Sequence, residues 1–141
     1  MIDEVVIATD GSRSVERAID VALDVSARFD ATVHALCVVD IGEIESAPED
    51  LKEEMRSALE ERAENATETI ARRASNGVIT AVREGRPPAE ITTYAREVDA
   101  DIVATGTRGR HGENRFLIGS VAERVVRTCP IPVLTVRHLE G

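Results

Sequence analysis

A chain of 141 residues is the size of one domain, and 43% hydrophobic content lets it bury roughly two-thirds of the surface its unfolded form exposes. Aromatic residues make up only 2%, with no Trp, so the core must be built from Val, Ile, Leu and Ala. That excludes the base-stacking platforms of single-strand nucleic-acid binders. The net charge of −9 argues against nucleic acid and anionic membrane as partners.

Strand-like and helix-like patterns alternate from the start. Glu4 to Thr9 (EVVIAT) is a short apolar run suited to a buried parallel strand. Val15, Ala18, Ala22, Val25 and Phe29 then recur at helical spacing. Thr32 to Val39 reads as a second strand, with Cys37 as a buried thiol in it. Cys37 and Cys129 form neither a metal-binding spacing nor an expected disulfide. The polar stretch Asp40 to Ala47 reads as a mobile loop. Ser46-x-x-Glu49 then matches a capping box for a helix whose stripe is Leu51, Met55, Leu59, Ala63, Ala66, Ile70 and Ala74. Asn76-Gly77 marks its stop.

Val78 to Arg83 is the third strand, and Pro87-Pro88 start a short helix with Ile91, Ala95 and Val98 facing inward. Asp101 to Thr105 is the fourth strand. Ser120-x-x-Glu123 matches a second capping box, with Ser120 as N-cap of a helix through Val121, Val125 and Val126. Cys129-Pro130 ends that helix, and Pro132 to Val136 is a fifth strand that tolerates proline at a sheet edge. The expected fold is one α/β domain over residues 1–141. It has a five-stranded parallel sheet in order 3-2-1-4-5 and four helices on its two faces, a Rossmann-like arrangement. The first strand follows the N-terminal Met1 closely, without a basic leader. No apolar run approaches the roughly 18 residues of a membrane span, so the protein is expected to be soluble and cytoplasmic.

Four of the nine glycines fall between Gly106 and Gly119, in GTRGRHGENRFLIGS. A glycine-rich turn between a strand and a helix offers bare backbone N–H groups and the positive end of a helix dipole, both suited to phosphate. In a doubly wound sheet of this order the ligand lies where the order reverses, between strands one and four. Thr9-Asp10-Gly11-Ser12 and Gly106-Thr107-Arg108-Gly109 would meet there. Arg108, Arg110 and Arg115 against Glu113 make the glycine segment positive on an acidic chain, and forked Arg donors match phosphate geometry. His111 is either a further phosphate donor or a spectator.

By chemistry, Gly106 and Gly109 would admit close backbone approach, and Gly119 and Ser120 would present amides and a hydroxyl. Asp10 would repel phosphate, so it faces sugar or base, or caps the first helix with Ser12. Val38 and Val39 would wall a base or simply pack. His34 and His138 have no partners at metal-ligand spacing. The acidic run Glu43 to Glu54 reads as a solvated face. Lys52 is the only lysine among the basic residues, a composition that fits a halophilic host or a GC-rich genome.

The pattern Gly106-x2-Gly109-x9-Gly119-Ser120 resembles the ATP-binding branch of the universal stress protein family, whose motif is G-x2-G-x9-G-[ST]. The opening I-A-T-D-G-S, the Gly85 region with its prolines and the closing C-P-I-P-V-L-T-V also resemble that family. The resemblance implies an adenine nucleotide as ligand, ATP with or without Mg²⁺. Asp10 and the end of strand two near Val38 would contact adenosine. Gly106, Gly109, Gly119 and Ser120 would hold ribose and phosphates, with Thr107, Val121 and Ala122 alongside. It also implies a homodimer paired through Val133 to Val136, an apolar edge in need of cover. A nucleotide-responsive regulator is the leading reading. A slow ATPase or self-phosphorylating protein would need a catalytic base that the sequence does not display. A nucleotide-free interaction module would leave the glycine motif without a purpose.

Overall fold

A computed structural model of the chain describes residues 1–74, 77–107 and 119–139. The strands are β1 (Glu4–Thr9), β2 (Thr32–Asp40), β3 (Val78–Gly85), β4 (Ile102–Gly106) and β5 (Val133–Val136). They form one parallel sheet in the order β3-β2-β1-β4-β5. The helices are α1 (Glu16–Phe29), α2 (Ile41–Glu45), α3 (Lys52–Arg73), α4 (Pro87–Glu97) and α5 (Ser120–Thr128).

Side chains alternate across a strand, so the two faces of the sheet hold separate cores. Val5, Ile7, Val33 and Ala35 pack with Ala18, Ile19 and Ala22 of α1 and Ile70 of α3. Val6, Ala8, Leu36 and Val103 pack on the other face with Ile91 and Tyr94 of α4 and Val125 of α5. Burial on both faces is why β1 reads as an unbroken apolar run rather than an alternating one.

Several local expectations need correction. The Asp40 to Ala47 stretch is not an irregular loop, because residues Ile41–Glu45 are helical. The Asp40 carboxylate caps this helix by accepting from Gly42 N at 2.9 Å, and Ile44 anchors it among Cys37, Val39, Leu59 and Ala63. Ser46 therefore closes α2 instead of opening α3, its hydroxyl donating to the Gly42 carbonyl at 2.8 Å. The helix α3 starts only at Lys52, after a 3-10 turn over Glu49–Leu51. Ser120 is likewise the first residue of α5 rather than its cap; Gly119 holds the N-cap position.

The expected helix stripes are buried at Val15, Ala18, Ala22, Leu59, Ala63, Ile70, Ile91, Ala95 and Val125, but not throughout. Phe29, Leu51, Met55 and Val126 are exposed, while Ile19, Ser26, Thr67 and Tyr94 are buried. Ser26 and Thr67 enter the core because each hydroxyl bonds back to its own helix, Ser26 to the Ala22 carbonyl and Thr67 to that of Glu64. His34, which has no partner at metal-ligand spacing in the sequence, meets a carboxylate from the neighbouring strand. Its Nε2 lies 2.7 Å from Glu4 Oε1 and its Nδ1 2.9 Å from the Tyr94 hydroxyl. A single ring proton on Nε2 satisfies both contacts, with Tyr94 donating to Nδ1. Burial pushes the Tyr94 phenol up, against the opposing pull of the Arg83 guanidinium stacked 5.0 Å from its ring centre. This polar string lies at the start of β2, at the opposite end of the strand from its junction with α2.

Candidate functional site

The carboxyl ends of β1, β2 and β4 open into a cavity of about 140 Å³. β1 has β2 on one side and β4 on the other, so this is the point where strand order reverses and open α/β sheets take ligands. Thr9, Asp10, Val38, Gly106, Gly119, Ser120, Val121 and Ala122, singled out from the sequence, all line it. Thr107 is buried beside it but is not part of the wall. Arg108 and Gly109, with Arg110, His111 and Arg115, lie outside the described residues.

The β1 end is shaped by a tight turn. Thr9 Oγ1 accepts from Gly11 N at 3.0 Å, and Asp10 Oδ1 accepts from both the amide and the hydroxyl of Ser12, at 2.9 and 2.6 Å. Gly11 adopts φ +79°, in the left-handed region that glycine enters without strain. Asp10 thus organises the turn but caps neither helix. Ser12 precedes a short 3-10 turn at Arg13–Val15, and the cap position of α1 is Val15.

The β4 end is set by packing against that same turn. A Cβ on Gly106 would stand 3.1 Å from the Ser14 carbonyl oxygen and 3.3 Å from Val15 Cα. The bare α-carbon of Gly106 therefore admits the protein's own backbone, a demand that the sequence reading had assigned to a ligand. Thr107 and Gly119, which flank residues 108–118, are joined by a hydrogen bond from Gly119 N to the Thr107 carbonyl. Thr107 N in turn donates to the Val136 carbonyl at 3.3 Å. The Thr107 hydroxyl is buried and has no partner among the described residues.

Gly119 delivers α5 to the cavity with its N-terminus forward. The Gly119 carbonyl accepts from Glu123 N at 2.9 Å, while the amides of the first turn have no intrahelical acceptor. Those amides and the helix dipole make this wall attractive to an anion. The opposite walls are partly apolar, from Leu36, Cys37, Val39, Leu59, Ala63 and Ile91. The acidic residues Asp10, Asp40 and Glu43 also line the cavity, together with the exposed Arg62 at its edge. Neither Glu43 nor Arg62 was singled out for the site beforehand: Glu43 stood in the acidic run read as a solvated face and belongs to the unexpected helix α2, and Arg62 stood outside the expected stripe of α3. Among the described residues no group of three His, Cys, Asp or Glu side chains could hold a metal ion. No helix among them is long and apolar enough to cross a membrane.

The sequence and fold have relatives among known proteins. The model of the Universal stress protein family matches residues 1–137. Universal stress protein MJ0531 of Methanocaldococcus jannaschii is 36% identical over 143 residues, spanning 95% of this chain and 81% of that protein. Among solved structures, hypothetical protein MJ0577, a test case for structure-based assignment of biochemical function, is similar with a TM-score of 0.87 and 28% identity. That match covers 100% of this chain and 99% of the other. The universal stress protein from Archaeoglobus fulgidus in complex with dAMP has a TM-score of 0.69 at 24% identity, covering 97% of this chain and 100% of its own.

Proposed function

Because the chain belongs to the universal stress protein family, we propose that it is an adenine-nucleotide-binding member, a nucleotide-responsive regulator of the stress response with ATP as its ligand. One observation carries this reading. The β1 turn at Asp10, the end of β2 at Val38, the end of β4 at Gly106 and the first turn of α5 converge on a single cavity at the reversal point of the sheet. The apolar wall suits a base, Asp10 suits ribose hydroxyls, and the free amides of α5 suit phosphate. The orphaned Thr107 hydroxyl beside that helix is a further group for an oxygen-rich ligand to satisfy. A Mg²⁺ ion would be carried mainly by the phosphates, since the described residues supply no ligand cluster of their own. The dAMP complex of the Archaeoglobus protein speaks for the fold; the ligand class for this chain rests on the cavity.

The test starts with freshly purified protein, denatured and examined for released small molecules by mass spectrometry, followed by calorimetric titration with ATP and Mg²⁺. Adenine nucleotide in the extract or micromolar ATP affinity is expected. Gly119→Val is expected to abolish that binding, because its branched side chain stands where phosphate must approach the α5 amides. Wild-type protein that is empty and blind to ATP at both low and high salt overturns the reading.

A further inference from the structure

Arg62 stands on α3, exposed, where the cavity meets an adjoining surface groove of about 370 Å³ lined by Gly11, Glu61, Asn65 and Thr69. Two features set it apart from the other arginines of α3. Arg56 pairs with Glu84, Arg72 with Glu68 and Arg73 with Asp20, whereas no carboxylate among the described residues pairs with Arg62. Its stem also lies beside the Gly11 turn. The Gly11 α-carbon, turned left-handed, faces Arg62, so that a Cβ there would lie 3.6 Å from Arg62 Cγ and 3.9 Å from Cδ. The turn that holds Asp10 therefore borders the stem of Arg62.

The charge around the cavity gives this placement a purpose. Among the described residues of the wall, Arg62 is the one cation, beside three acidic residues, Asp10, Asp40 and Glu43. A ligand carrying phosphate meets three like charges there and needs a counter-charge on the same side. A guanidinium with no carboxylate partner among the described residues provides one, with a fork of donors that matches phosphate oxygens. Resting on the nucleotide reading above, we infer that Arg62 is a specificity-determining residue that binds the phosphate of the nucleotide and favours phosphorylated ligands over the bare nucleoside.

The test is a calorimetric series of adenosine, AMP, ADP and ATP on wild type, Arg62→Gln and Arg62→Lys, with thermal melting to establish that each variant is folded. Arg62→Gln is expected to lose at least tenfold in affinity for the phosphorylated ligands and nothing for adenosine. Arg62→Lys should recover part of that loss, as charge without the fork. An equal loss for all four ligands would make Arg62 a wall residue and overturn the inference, and so would unchanged affinity for AMP, ADP and ATP. In both of those cases the wild type still binds, so the nucleotide reading survives. A wild type that binds none of the four removes both together.

Discussion

At Gly106, a single hydrogen in place of a side chain lets the end of β4 rest on the Ser14 carbonyl and the Val15 backbone. Both obstacles are main chain, so they cannot rotate away. Gly106→Ala is expected to destabilise the fold by about 1–3 kcal/mol, the usual cost of overpacking, seen as a lower urea midpoint with an unchanged slope. Loss of ligand in that variant would report a displaced turn, which is why Gly119 is the better probe of the site. These glycines, with Asp10 and Val38, were legible in the sequence because their signals are local: a strand end, a turn, a spacing. Arg62 and Glu43 were not, since each reaches the cavity through the placement of a whole helix. No local pattern announces that an exposed charged residue of α3 borders the cavity.

The elements are tied together at their starts by a carboxylate outside any of them. Asp101 Oδ2 accepts from the backbone amides of Asp3 and Glu4, at 2.7 and 3.0 Å, and so clamps the beginning of β1 to that of β4. Those two amides, Asp3 first, hold the Asp101 carboxyl below its ordinary value. A depressed carboxyl stabilises the fold above its unfolded pKa of about 3.9, and the contribution fades as pH falls through the lower folded value. Asp101→Asn should therefore be less stable than wild type at neutral pH, with the gap closing below about pH 4. Urea melts across that range measure it. An undiminished gap at low pH would mean that shape rather than charge makes the clamp. Strand order and number were legible because buried parallel strands are short apolar runs separated by helix-length spacers. The capping boxes misled because Ser-x-x-Glu is a local match that other hydrogen bonds can outcompete. In α3 the burial begins at Leu59, which packs against Cys37 and Val39 near the end of β2. Leu51 and Met55, further back along the helix, thus lie past the strand and stay exposed, although their spacing continues the stripe.

At the scale of the molecule, β5 is an edge, and its ladder to β4 determines which of its groups are free. Val103 N donates to the Pro132 carbonyl and Thr107 N to that of Val136, so in a parallel ladder the main-chain groups of Val133 and Thr135 turn outward. A homodimer paired through Val133–Val136 would use those groups. Thr135→Pro removes an outward donor and leaves the ladder to β4 whole. If the dimer forms there, light scattering should find dimeric wild type and a folded monomeric variant. With −9 on each copy, added salt should strengthen the association. The two-core architecture has one more consequence. The core under α1 and α3 and the core under α4 and α5 are separated by the sheet along its whole length, yet the cavity wall draws on α3, α4 and α5 alike. A molecule lodged there acts as a keystone between two halves whose cores lie on opposite faces of the sheet. Its departure would loosen the joint between them, so that occupancy is written into how cooperatively the domain melts.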